Sequence, residues 1–239
     1  MGEDRTTTRP GWRARVKELK RLSHEVRRRP VLAIVSKLLD WLSLPLRLGC
    51  FSLMEFDGVP SSHPRVARLG LIVRPAASCD IPALIQCQRR NHAAALNKRF
   101  AIGDHCAVVL SGDRMVGYGW FCVRATHVEE RYLYRIPIPP NAIYAYDYYI
   151  VPQYRIKGAW LLIQAHMAGL MKTLGRSRVI ALVDYGNEIS MKSHLRFGFR
   201  RVCTVRALRV WGKRYAQVST EPETPPSIVG SSFPTHSAK

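Results

Sequence analysis

Acidic side chains are scarce in this chain: 17 Asp and Glu stand against 37 Lys and Arg, a formal net charge of +20. Such an excess bears on partners rather than on fold. It fits nucleic acid, an anionic membrane surface or a small polyanionic ligand, and it equally fits a solvated basic surface. The chain also lacks an apolar run that could span a bilayer. Val31 to Leu48 comes nearest, but Lys37, Asp40, Pro45 and Arg47 interrupt it. A span needs about 20 mostly apolar residues, and central charges are costly. That excludes a spanning helix there and leaves a surface-lying one open. The first residues show no apolar core followed by a small-residue cleavage site, so no secretory signal is expected. There is no repeat of solenoid length. Among Cys50, Cys79, Cys87, Cys106, Cys122 and Cys203, no two are spaced Cys-x-x-Cys, and no Cys/His cluster has zinc-ligand spacing. Reduced thiols, a cytoplasmic setting and no metal are therefore expected.

What is present is enough apolar material for a core, 47% of 239 residues. Three parts are expected. Residues 1–65 form a basic extension, residues 66–214 a compact domain, and residues 215–239 a disordered tail rich in Ser, Thr and Pro. In the extension, Trp12, Val16, Leu19 and Val26 fall at helical spacing among basic residues. A helix there could pack on the domain, an anionic lipid surface or a partner protein. A second helical stretch, Val31 to Leu42, and a strand over Leu48 to Phe56 follow.

Within the domain, Leu69 to Arg74 reads as a strand. Ser78 or Asp80 caps a helix to about Arg90, with Pro82 in its first turn. Cys106 to Leu110 and Met115 to Val123 form a hairpin around Ser111 to Arg114. Residues 126–142 read as a polar connection containing prolines. Ile143 to Val151 is a strand that Pro152 ends. Gly158 to Leu174 is a helix with an apolar stripe, and Gly175 ends it. Val179 to Val183 is a strand. Asn187 caps a helix finishing at Gly198, and Phe199 to Val202 and Val205 to Trp211 complete a sheet. Antiparallel strands followed by βαβ units imply an α+β fold with a mixed sheet and helices on both faces.

The segment from Tyr149 to Leu162 carries the chemistry. A strand ends at Pro152 and a turn feeds directly into a helix. Its first amides lack internal partners and carry the positive end of the helix dipole, which suits a phosphate. Gly158 allows close backbone approach, and Arg155 and Lys157 add charge.

This segment resembles the acyl-CoA-binding motif of the GNAT superfamily of N-acetyltransferases. The family's Gln/Arg-x-x-Gly-x-Gly/Ala reads here Arg155-x-x-Gly158-x-Trp160. About thirty residues on, Asn187-x-x-Ser190-x-x-x-His194-x-x-x-Gly198-Phe199 resembles the family's Asn-x-x-Ala-x-x-x-Tyr-x-x-x-Gly-Phe. The resemblance covers residues 69 to 212. It implies a mostly antiparallel sheet of six to seven strands, with Ile143–Val151 and Val179–Val183 splayed to admit pantetheine. Backbone of Ile156, Lys157, Gly158, Ala159 and Trp160 would hold the pyrophosphate, and backbone of Tyr149, Ile150 and Val151 would pair with pantetheine. Asn187 would touch CoA, though an ordinary N-cap also explains it. Acetyl-CoA or another acyl-CoA is the implied co-substrate, and a small-molecule amine or aminosugar the acceptor.

Two positions depart from the pattern. Trp160 replaces a small residue. His194 stands where the family often has a Tyr acting as general acid, and it reads either as that acid or as a core residue beside Met191 and Phe197. Asp147, on the same face as Tyr149 by alternation, reads either as the base or as a carboxylate that shapes the cleft. Two other functions stay open: a non-catalytic acyl-CoA-binding module, and a basic membrane- or nucleic-acid-associated protein on this scaffold.

Overall fold

The computed structural model describes residues 46–59, 70–88, 91–129, 134–210 and 213–220. The expected helices before residue 46 and the tail beyond Thr220 lie outside them. Among the described residues ten strands occur in chain order: β1 (Leu46–Asp57), β2 (Leu71–Pro75), β3 (His105–Ser111), β4 (Arg114–Cys122), β5 (Thr126–Glu129), β6 (Tyr134–Pro137), β7 (Ala142–Ile150), β8 (Arg178–Asp184), β9 (Arg200–Val210) and β10 (Lys213–Thr220). The helices are α1 (Ile81–Cys87), α2 (Ala93–Ala101), α3 (Ala159–Thr173) and α4 (Glu188–Arg196), with a 3₁₀ turn over Pro152–Lys157.

The main sheet has eight strands in the order β10-β9-β1-β8-β7-β4-β3-β2. Pairings within it are antiparallel apart from β7 with β8, which is parallel. The architecture is the mixed, mostly antiparallel α+β sheet expected, with more strands than the six to seven anticipated. Much of the surplus comes from β1. Residues expected to precede the domain sit between β8 and β9, and Phe51 and Met54 are buried there. At the other end, β10 carries the sheet to Thr220, so residues 215–220, expected in the tail, are strand.

Three local expectations change for identifiable reasons. The two strands expected around Cys203 are one, β9, and the pattern break is a bulge: β1–β9 register passes from Leu53↔Cys203 to Met54↔Arg201. Residues 126–142 hold a small hairpin, β5 with β6, which buries Ile136. Helix α2 has no apolar stripe to announce it, because Leu96 is its only buried residue, although Ala93–Ala95 favour helix.

The sheet is covered on both faces. Against α3 lie Ala107, Val109, Val116, Phe121, Ile143, Ala145 and Ile150, meeting Ile163, Met167 and Met171. Against α1 and α2 lie Cys106, Val108, Met115, Tyr118 and Trp120, meeting Ile81, Leu84 and Leu96. Strand β4 is buried from Met115 through Cys122 because both faces are covered. Gly119 is the position in it that tolerates no side chain. A Cβ there would stand 2.5 Å from Tyr148 Cε1 and 2.8 Å from Ile163 Cγ2. Gly119→Ala is expected to cost roughly 1–3 kcal/mol of stability through overpacking, read as a lower urea midpoint with an unchanged m-value.

Candidate functional site

Strands β7 and β8 run together through only four residue pairs, Ala142↔Arg178 to Ala145↔Ala181. Beyond these, β7 continues to Ile150 and β8 to Asp184 without pairing to each other. Their outer edges are satisfied, β7 by β4 and β8 by β1. The facing edges therefore part into a V. Its closed end is pinned by Arg176, whose guanidinium donates to Val123 O (2.7 Å) and to Ala142 O. Ser177 N and Arg178 N both donate to Asn141 O, at 2.9 and 3.0 Å.

At the open end β7 meets the turn. Pro152 ends the strand and Tyr154 N donates to Val151 O at 2.8 Å. Gly158 then adopts φ +77°, a left-handed conformation that suits glycine, and begins α3. The first α-helical bond runs from Leu162 N to Gly158 O, so the amides of Ala159, Trp160 and Leu161 precede it. Arg155 and Lys157 are both exposed here. Arg155 Nε donates to Ile150 O at 3.1 Å, which braces the turn against β7 and takes a backbone acceptor assigned above to pantetheine. Lys157 Nζ lies 5.1 Å from the centre of the Tyr154 ring. Ala159 is fully buried.

The Trp160 indole turns toward α4. It packs on Phe197 (4.2 Å between ring centres) and edge-on to His194 (6.1 Å). This is the physical answer to the departure from a small residue: the bulk lies between α3 and α4. His194 is buried in the same cluster, 4.9 Å from Phe199, and its Nδ1 lies 2.8 Å from Ser190 O. Burial holds its imidazole below the usual value, opposed by the Ser190 hydrogen bond. These are the surroundings of a core histidine. Asn187 caps α4, its Oδ1 accepting from Ser190 N at 3.3 Å, as an ordinary N-cap does.

Asp147 and Tyr149 do share a face, but through a bulge. The β4–β7 register shifts between Tyr118 and Trp120, and Asp147 takes φ +48°, unusual for a residue with a side chain. Tyr146 and Tyr149 pack with the α1/α2 cluster, whereas Ala145, Tyr148 and Ile150 pack with the α3 cluster. Asp147 pairs with Arg99 of α2, with side-chain exposures of 29% and 12%. The Arg99 guanidinium lies 5.3 Å from the Trp120 ring and 5.2 Å from the Tyr146 ring. The carboxylate thus faces the α2 side of the V, with a cation and two aromatic rings beside it.

Behind it lies a network that sequence spacing could not show. Asp104 accepts from the Tyr146 hydroxyl (2.6 Å) and from Arg124 Nη2 (2.8 Å). Burial and Asp104 push the Tyr146 phenol upward, so it stays a donor. Asp104, Cys122 and His127 place potential ligand atoms within 4.8 Å of one another, all buried. Burial pushes the Cys122 thiol up to about 11. A metal would need that thiol deprotonated and would compete with Arg124 and Tyr146 for Asp104. Among the described residues no disulfide forms, and no helix is long and apolar enough to cross a membrane.

No protein-family model matches the sequence, and no curated protein matches it significantly. Solved structures do match in shape. One is a conserved protein of unknown function from Staphylococcus epidermidis, 12% identical, with 84% of this chain and 82% of that one covered and a TM-score of 0.47. Another, from Novosphingobium aromaticivorans, is assigned to the GNAT acetyltransferases. It is 16% identical, with 69% and 66% covered and a TM-score of 0.49. A third is an aminoglycoside 6′-N-acetyltransferase from Acinetobacter baumannii, 12% identical, with 55% and 91% covered and a TM-score of 0.44.

The burial of His194 has a pH signature. Below pH about 6.5 the unfolded chain binds a proton that the folded chain refuses. Stability contributed by the neutral ring is therefore present above that pH and falls as pH drops toward the folded-state value, by up to about 1.4 kcal/mol per pH unit. His166, also lowered by burial, acts in the same direction. In His194→Phe, the loss of unfolding free energy between pH 7.5 and 5 should be smaller than in the unaltered chain. Urea titrations across that range measure it, and identical slopes in the two proteins would contradict the assignment.

Proposed function

We propose that this chain is a GNAT-type, acyl-CoA-dependent N-acetyltransferase that moves an acyl group, acetyl in the first instance, to an amine of a small molecule or aminosugar. The observation that carries the reading is the V between β7 and β8, opening onto the Gly158 start of α3. The V leaves main-chain groups of β7 available to an extended amide-bearing arm. The turn offers helix-start amides and two exposed cations to a diphosphate. Pantetheine joined to a pyrophosphate has that shape and chemistry. The amides of Ile156 to Trp160 would take the phosphates, and β7 around Tyr149 to Val151 would take the arm, with Arg155 competing for Ile150 O and Val151 N already donating to Val116 O.

The transfer proceeds by direct attack. The amine lone pair adds to the thioester carbonyl carbon and gives a tetrahedral oxyanion. The oxyanion collapses, the carbon–sulfur bond breaks, the amide forms, and coenzyme A leaves as thiolate. The amine loses a proton and the thiolate gains one. Asp147 faces the α2 side, from which a polar acceptor would approach, and is the candidate base, directly or through water. His194 is the weaker assignment for the acid because its ring lies among Trp160, Phe197 and Phe199. A cytoplasmic setting suits an acyl-CoA enzyme, and the basic residues before β1 remain candidates for contact with an anionic membrane or a partner protein.

One alternative has a specific observation in its favour. Asp147 is held by Arg99 and His194 by the core, as they would be in a module that binds acyl-CoA without turning it over.

Calorimetric titration with CoA and acetyl-CoA tests the binding half, with saturation expected well below millimolar concentration. Thiol release from acetyl-CoA across an amine panel tests the chemistry. Asp147→Asn should lower kcat by about 100-fold with little change in acetyl-CoA affinity. A chain that binds acetyl-CoA but shows equal thiol release with Asp147→Asn and His194→Phe would remove both catalytic assignments. No binding at millimolar CoA would remove the reading.

A further inference from the structure

Where β7 leaves β8, its two faces are chemically opposite. On the α2 side stand Asp147, Arg99 and the Tyr146–Asp104–Arg124 network. On the α3 side stand Ala145, Tyr148 and Ile150, with Ile163, Met167 and Val183. A thioester lying along the open edge of β7 must send its two substituents to different surroundings. An ammonium acceptor needs charged or hydrogen-bonding partners, which the α2 side supplies. An alkyl tail gains by leaving water, and the α3 side is lined by apolar side chains, whereas the α2 side sets the Arg99–Asp147 ion pair among its aromatic rings. The acyl tail therefore belongs on the α3 side.

Tyr148 fills that side. Its ring rests on Gly119, at the distance where any Cβ would collide. Phe121 stands edge-on to it at 5.8 Å, and its hydroxyl lies 3.7 Å from Met167 Sδ. Burial drives its phenol far above the usual value, so it is not an acid or base at neutral pH. Gln164 hydrogen-bonds the phenol, while its own buried Oε1 has no partner among the described residues.

We propose that Tyr148 is the acyl-length stop of the cleft: its ring occupies the room that a tail longer than acetyl would need. This rests on the cleft being an acyl-CoA site. Gly119 is the residue that lets the ring sit so deep.

The test uses the full-length protein and needs no acceptor. CoA, acetyl-CoA, butyryl-CoA and octanoyl-CoA are titrated calorimetrically into the unaltered chain and into Tyr148→Ala and Tyr148→Phe. The unaltered chain should bind octanoyl-CoA at least about tenfold more weakly than acetyl-CoA, and Tyr148→Ala should close that gap by about tenfold. Tyr148→Phe should leave the ranking unchanged, because the ring and not the hydroxyl is the stop. Should Tyr148→Ala lose its melting transition, Tyr148→Leu keeps an apolar filler and should still gain butyryl-CoA affinity several-fold. Equal binding of acetyl- and octanoyl-CoA by the unaltered chain overturns the proposal. So does the same ranking in a folded alanine or leucine variant. Binding of no CoA species by any chain is a different result, and it overturns the acyl-CoA reading beneath.

Discussion

Four residue pairs hold β7 to β8, and past Ala145 and Ala181 each strand leaves an edge without its neighbour. Backbone amides and carbonyls are obligatory hydrogen-bonding groups, and inside a sheet they are costly to leave unmade. The rest of the molecule limits that cost. Strand β4 takes the other edge of β7, β1 takes the other edge of β8, and Arg176 fastens the vertex through two carbonyls. The parting is thus confined to one end of two strands. That end also receives the bulge at Asp147 and the turn that starts α3. Asp147, Arg155 and the first amides of α3 are positioned by reference to it.

The site is asymmetric because the sheet is covered by helices of different character. Helix α3 brings Ile163 and Met167, so its face of the V is dry. Helix α2 buries only Leu96 and brings Arg99, whose charge needs a partner and finds Asp147. The left-handed conformation of Asp147, an energetic cost of order 1–3 kcal/mol for a residue with a Cβ, turns its carboxylate to the polar side.

Local chemistry was legible in the sequence. Pro152, Gly158 and Gly175 marked α3 and its entrance, Asn187 marked the cap of α4, and the Ser111–Arg114 segment marked the β3–β4 hairpin. What could not be read depends on partners remote in sequence. That β1 sits between β8 and β9 is decided by which apolar edges meet, and a strand signal over residues 48–56 says nothing of its neighbours. The bulge at Asp147 leaves no periodicity mark in a run as rich in Tyr as 144–149. The grouping of Asp104, Cys122 and His127 comes from three separate strand ends, so no spacing rule could find it. For His194 the sequence supports two readings, because burial, not position on a helix, separates an acid from a core ring.

The placement of β1 has a kinetic side. Its partners β8 and β9 come far later in the chain, so β1 must wait unpaired while the strands and helices between them are synthesised. Contacts this distant along the chain make folding slow. A shortened version starting after residue 57 would leave β8 and β9 with bare inner edges, the kind of surface that recruits other chains. The segment that looks most like an appendage in the sequence is therefore the one that keeps the sheet from pairing with its neighbours in solution.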